Sequence, residues 1–405
     1  MTLLRPHQPR IGRRGLLLGL TALAALGQAR LAVASPAASA GTGRGEARLV
    51  VVLLRGALDG LAAVQPYGDA DLRELRGPLA LPEPGQEGGL LELGGFFGLH
   101  PSLDKVHALY RRNEALVLHA VAGPYRTRSH FDAQDMLESG AESRLSSGWL
   151  NRALQAMPAD PAQGARAGLA LGYDLPLLMR GPRPVSIYTP QRGEAPPAEL
   201  YARLADLTHE DPLLGPAVQE GLRARGYASG VLDQERGRAA FPVLATTAGR
   251  LLAEADGPRV AALELGGWDT HSSQPNRLKN QLTQLDDGLE ALRVAAGPAW
   301  RHTAVLVMTE FGRTVRVNGN TGTDHGTGGA ALLLGGAVAG GRVMADWPGL
   351  GRGKLFEDRD LQPSLDLREL AKGLLRDHLR LPDAALAAAF PDSQGVAPRR
   401  GLLRA

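Results

Sequence analysis

The chain has 405 residues, 44% of them hydrophobic and 21% charged, a globular balance that leaves room for a large core and excludes disorder throughout. Its formal charge of +3 turns slightly acidic once residues 1–34 are set aside, because that segment carries five arginines and no acid, so the body offers no basic footprint for nucleic acid. It contains 0 cysteines, which excludes thiolate nucleophiles, Cys-ligated zinc, iron–sulfur clusters and disulfides.

Residues 1–34 read as an export signal: a basic start ending in Arg13-Arg14, the apolar run Gly15–Gly27, and the small-residue site Ala32-Val33-Ala34. Thirteen helical residues rise only about 20 Å, too little to span a hydrocarbon core. Paired arginines ahead of the apolar run resemble a twin-arginine signal, the alternative being an ordinary secretory signal that happens to contain two arginines. The expectation is therefore a periplasmic or secreted protein, handled by the twin-arginine export machinery, with no stable membrane span. Residues 35–46, rich in Ala, Ser, Gly and Pro, read as a linker. The remainder, 47–405, is expected to be one domain.

The first element of that domain is Leu49–Leu54, a continuous apolar run of the kind that suits a strand buried on both faces. Ala115–Val121 is a second such run, and a helix is expected after it, through Glu138. Ser129, with Asp132 three residues on, resembles a short capping box for that helix. Residues 141–257 are irregular, with helical stretches at Ser146–Met157 and Pro197–Leu207 and a weak strand at Val185–Tyr188. They form either a cap over the sheet or its far side. Further buried runs follow at Val260–Leu265, Thr303–Met308 and Ala330–Leu334. Between them, Asn276–Arg293 places Leu278, Leu282, Leu285, Leu289 and Leu292 at helical spacing, and another helix is expected over Ser364–Leu379. Buried strands alternating with amphipathic helices predict an α/β fold, a mainly parallel central sheet with helices on both faces.

Polar clusters follow the strands. Asp59 comes after the first, and Arg126, Thr127, Arg128, Ser129 and His130 after the second. Asp269 and His271 come after Val260–Leu265, and Glu310, then Asp324 and His325, after Thr303–Met308. Ligands of open α/β sheets sit at the carboxyl ends of the strands, so these clusters should converge. Carboxylates mixed with imidazoles suit Zn²⁺, Mn²⁺ or Fe better than Ca²⁺. A serine beside a metal at a helix N-terminus is a candidate nucleophile, and Arg126 and Arg128 are candidates to clamp an anion. Thr127 and His130 are lesser nucleophile candidates. His100, His107, His119, His209, His302 and His378 are read as structural.

The series Gly56–Gly60, Arg128–Asp135, Gly266–His271, Thr309–Thr314, Asp324–Gly326 and Asp360–Asp366 resembles a twin-arginine-exported family known as a domain of unknown function, placed in the alkaline phosphatase–sulfatase superfamily. The resemblance implies an alkaline-phosphatase-like domain with one or two divalent metals, Zn or Mn, and hydrolysis of small anionic phosphate or sulfate esters. It implies metal roles for Asp59, Asp269, His271, Glu310, Asp324 and His325. Catalytic roles fall to Ser129, Arg126 and Arg128. Glu310-Phe311 departs from the superfamily's usual acidic pair, which puts the second metal in doubt unless Asp324 replaces the missing ligand. The lack of cysteine and of the Cys/Ser-x-Pro-x-Arg pattern argues against a formylglycine sulfatase. Alternatives are a metal-dependent mutase or transferase, and a non-catalytic binding or assembly protein on an inherited fold.

Overall fold

The computed structural model describes residues 47–157, 167–189, 241–255 and 257–404, with isolated positions between 205 and 218. The expected leader, the linker and most of the expected Pro197–Leu207 helix lie outside the described residues.

The strands are β1 (Arg48–Arg55), β2 (Val64–Gln65), β3 (Leu91–Leu93), β4 (Phe97–Leu99), β5 (Ala115–Ala122), β6 (Gly168–Leu171), β7 (Ser186–Tyr188), β8 (Val260–Gly266), β9 (Thr303–Thr309), β10 (Gly329–Leu334), β11 (Arg342–Met344) and β12 (Leu365–Asp366). The α-helices are α1 (Gly60–Ala63), α2 (Leu72–Arg76), α3 (Asp104–Arg111), α4 (His130–Ser139), α5 (Trp149–Ala156), α6 (Phe241–Ala253), α7 (Gln274–Ala296), α8 (Leu367–Asp377) and α9 (Asp383–Ala389).

Side chains alternate across a strand, and β1 uses that alternation to build two cores. Val50, Val52 and Leu54 enter one core with α6, α7 and Val106 and Leu109 of α3. Leu49, Val51 and Leu53 enter the other with α5, α8 and α9. A strand covered on both faces must be apolar throughout, which is why β1 shows no polar alternation. The five leucines expected on one face of α7 all lie in the first core.

The main sheet has nine strands in the order β11-β5-β10-β9-β1-β8-β6-β7, with β12 also paired to β5. β1 is parallel to both β8 and β9, and the ends align, with Leu54 opposite Leu265 and Thr309. β10 alone runs antiparallel to its neighbours β5 and β9. The α/β class and mainly parallel sheet expected from the sequence are what the chain adopts. The described part of the irregular middle extends this sheet through β6 and β7. A separate three-stranded sheet, β2-β4-β3, was not anticipated.

Two local expectations need correction. The helix expected from Ser364 begins at Leu367, because Leu365 and Asp366 pair with Val121 and Ala122, and Asp366 caps the helix by accepting from the Arg368 N–H at 2.8 Å. The Ser129–Asp132 capping box does not form. Ser129 is the N-cap of α4 without a side-chain cap bond, and the Asp132 carboxylate accepts instead from the Tyr125 hydroxyl at 3.1 Å and from Arg144 at 2.6 Å. Among the described residues no helix is long and apolar enough to cross a membrane.

Two buried histidines tie the strands down. His119 sits 2.9 Å from the Val64 carbonyl and His378 2.8 Å from that of Arg48, and burial pushes each down to about 4. The unfolded chain, with histidines near 6.5, binds more protons across that window, so stability is lost as pH falls from about 6.5 toward about 4. Each group contributes at most about 1.4 kcal/mol per pH unit there. The slope of melting temperature against pH should flatten in His378→Gln; an unchanged slope would remove His378 from the account.

Candidate metal centre

The candidate residues leave the sheet at one edge. β1, β5, β8 and β9 all point their carboxyl ends there, and β10, running the other way, begins there, so Asp324 and His325 arrive at the same edge. Backbone contact holds the turns together. Gly56 has φ +116°, and a Cβ on it would lie 2.7 Å from the Asp269 nitrogen. Trp268, fully buried, donates from Nε1 to the Leu265 carbonyl at 2.8 Å and so fixes the turn that carries Asp269 and His271. The segment after β9 folds back so that Arg313 faces His325, and a Cβ on Gly326 would lie 2.3 Å from the Arg313 carbonyl carbon.

This packing brings His130, His271, His325 and Asp269 together. His325 Nε2 lies 2.9 Å from His130 Nε2 and 3.0 Å from His271 Nε2. Asp269 Oδ1 lies 2.9 Å from His271 Nε2, 3.2 Å from His325 Nε2 and 3.6 Å from His130 Nε2. Ligand atoms of His130, Asp269 and His325 all fall within 4.8 Å of one another.

The other ring nitrogens decide what these atoms are. His130 Nδ1 donates to Glu310 Oε1 at 2.8 Å, His271 Nδ1 to Asp324 Oδ1 at 2.9 Å, and His325 Nδ1 to the Arg128 carbonyl at 3.0 Å. A proton committed at Nδ1 leaves the Nε2 of a neutral imidazole as a lone pair. Three lone pairs and a carboxylate oxygen then face one another, a set that repels itself unless a cation sits among them. Carboxylates and carbonyls behind each ring are what orient metal-ligating imidazoles. The donor set fits a divalent transition metal.

Electrostatics at the site follow from these partners. The hydrogen bond to Glu310, reinforced by its charge, raises His130 above its ordinary value against burial. Burial, with the neighbouring His130, lowers His325. Burial works against the Asp269 charge, but the Arg313 guanidinium, donating at 2.7 Å, outweighs it and holds the carboxyl below its usual range. His271 holds Asp324 low.

The remaining sequence candidates take other places. Asp59, 1% exposed, accepts from Arg76, from Gln274 Nε2 at 2.6 Å and from the Ala62 N–H at 3.1 Å, outside the donor cluster. Glu310 accepts from His130, Gln134, Thr309 and the Gly56 N–H, and Asp324 from His271 and Asn318, so both stand behind imidazoles. The Arg128 guanidinium is bound to Asp360 and Glu357. Arg126 donates to the Gly123 and Tyr125 carbonyls and has no ion-pair partner among the described residues. Ser129 is half-buried, one residue before His130, and Thr127 is exposed.

Sequence reasoning gave His130 only a lesser nucleophile role. Its signal was its position at the carboxyl end of a buried strand. Arg313 stood within the Thr309–Thr314 motif but was given no role, and Gln274 and Arg76 were missed altogether, since nothing local marks a buried arginine or glutamine. They form a continuous network: Gln274 links Asp59 to Thr323, Thr323 meets Arg313, and Arg313 holds Asp269.

The chain belongs to the family described as "Protein of unknown function (DUF1501)", whose model matches residues 114–390. No curated protein matches it. Among solved structures it is distantly similar to the C-terminal periplasmic domain of EcEptC from Escherichia coli in complex with Zn, at 10% identity over 72% of this chain and 74% of that one, TM-score 0.30. It is also similar to the PsFucS1 sulfatase from Pseudoalteromonas sp., at 14% identity over 74% and 64% of the two chains, TM-score 0.32. A third is the phosphonate monoester hydrolase of Agrobacterium radiobacter, at 11% identity over 83% and 74%, TM-score 0.33.

Glu310→Gln removes the charge behind His130 while keeping an acceptor in place. Its affinity for Zn²⁺, measured by competition with a chromophoric chelator, is expected to fall about tenfold or more. An unchanged affinity would detach Glu310 from the centre.

Proposed function

We propose that the chain is an exported, metal-dependent hydrolase of phosphate or related sulfate esters working through a single metal. The observation that carries this reading is the convergence of His130, His271 and His325 Nε2 with Asp269 Oδ1, each ring held by an acceptor behind it. Zn²⁺ or Mn²⁺ bound there would supply a Lewis acid for the ester oxygens. A single metal is favoured because Asp59 already has the Arg76 cation, and Glu310 is occupied by four hydrogen-bond donors. The guanidinium of Arg76 provides inside the protein the positive charge that Asp59 would otherwise need from an ion.

Ser129 is the nucleophile in this reading. Its hydroxyl makes no hydrogen bond among the described residues and sits at the N-terminus of α4, where unpaired N–H groups favour an anion. Arg126, three residues ahead of Ser129 and without an ion pair among the described residues, is the candidate to bind the anion. Both nitrogens of His130 are engaged, with Glu310 and with His325, which supports Ser129 over His130 in this reading. Export rests on the charge and apolar length of residues 1–34.

One feature favours a second reading. Four protein donors can close a tetrahedral site, as structural zinc sites do, whereas a catalytic site keeps a position open or expands to five ligands. A non-catalytic binding protein on this fold would have a closed centre.

The test is metal content by mass spectrometry and turnover of aryl phosphate and sulfate esters. The native chain is expected to hold about one transition metal. Asp269→Asn and His325→Ala should lose both metal and turnover. Ser129→Ala should keep the metal and lose turnover by about a thousandfold or more. Metal without turnover of any ester would favour the binding protein; full turnover in folded His325→Ala would end the hydrolase assignment.

A further inference from the structure

Asp360 lies in the segment between β11 and β12, remote in sequence from every residue of the donor cluster, and is 0% exposed. A carboxylate buried that completely is costly unless several donors meet it. Three do. Its Oδ2 accepts from Arg128 Nε at 2.8 Å and from the Thr327 hydroxyl at 2.8 Å, and its Oδ1 accepts from Arg359 Nη1 at 3.2 Å.

Each donor leads to a cluster histidine. Arg128 has φ +64°, a left-handed conformation that a residue with a long side chain adopts only when its surroundings hold it. In that conformation its carbonyl receives the His325 Nδ1 proton at 3.0 Å, and His130 follows two residues later. Arg359 Nη2 donates to the His325 carbonyl at 2.8 Å. Thr327 lies two residues beyond His325. His325 is thus held at its ring by Arg128 and at its backbone by Arg359, and Asp360 anchors both guanidiniums.

We infer that Asp360 is a positioning residue for the centre: through Arg128 and Arg359 it sets the tautomer and aim of His325 and the placement of His130. The inference rests on the reading of the cluster as a metal centre. It also gives Arg128 a task other than gripping substrate. Asp360→Asn keeps the shape of the side chain and removes the charge that fixes the two arginines.

The experiment measures Zn²⁺ affinity by chelator competition, and the melting temperature of the metal-free chain, for the full-length protein and its variants. Asp360→Asn should bind Zn²⁺ about ten- to a hundredfold more weakly. Asp366→Asn serves as a control in the same segment, where the carboxylate caps α8 and pairs with Arg368. It should lower the metal-free melting temperature and leave Zn²⁺ affinity alone. Arg128→Met should reproduce the weakened affinity, and the double variant with Asp360→Asn should be no weaker than either single one, because both cut the same link. Wild-type affinity in Asp360→Asn would overturn the inference. If that variant does not fold, wild-type affinity in Arg128→Met would do so. Failure of the native chain itself to bind Zn²⁺ would overturn the metal-centre reading and this inference with it.

Discussion

Mutual repulsion among three imidazole lone pairs and a carboxylate oxygen is the constraint on which the rest of this edge of the molecule depends. His325 presents Nε2 to His130 and to His271 at 2.9 and 3.0 Å, and Asp269 Oδ1 faces all three rings at 2.9 to 3.6 Å. Without help the rings would turn away. Glu310, Asp324 and the Arg128 carbonyl hold them by their Nδ1 protons, so the shape of the cluster is stored in the groups behind it. Buried scaffolding then fixes those groups: the Asp59–Gln274–Thr323–Arg313 chain on one side and the Asp360 hub on the other.

The sheet explains how residues so far apart in sequence reach one point. Parallel strands place their carboxyl ends on a common edge, and each turn there contributes a polar group. The reversed β10 brings in the last histidine from its amino end. Glycines let the turns touch backbone to backbone: Gly56 against Asp269, and Gly326 against Arg313. These close approaches leave little freedom for the turns to drift, which suits a site whose ligands must be held to a fraction of an ångström.

Charge is arranged with the same economy. Arg313 and Arg76 are buried cations, each facing a carboxylate, and both are joined to the same hydrogen-bonded network. Asp59 accepts from Arg76, both of them almost fully buried.

The amino-acid sequence by itself marked the long strands of the main sheet, β1, β5, β8, β9 and β10, and the polar groups that follow them, but not the small sheet β2-β4-β3 or the short strands β6, β11 and β12. Apolar runs such as Leu49–Leu54, rich in β-branched and aliphatic residues, suit a strand buried on both faces, and once such strands lie parallel the polar residues after them emerge together. It also marked Asp269, His271 and His325 as metal-binding types. Which of the marked residues meet was decided by tertiary structure alone. Asp59 and Glu310 look like ligands from their places after buried strands and from the family resemblance, yet what a carboxylate meets depends on segments far away: Arg76 and Gln274 stand on Asp59, and His130 on Glu310. His130 looked like one more polar residue near a helix start until Glu310 and His325 were found on its two nitrogens. Periodicity reports which face of an element is buried; a hydrogen bond between segments 180 residues apart leaves no periodic trace.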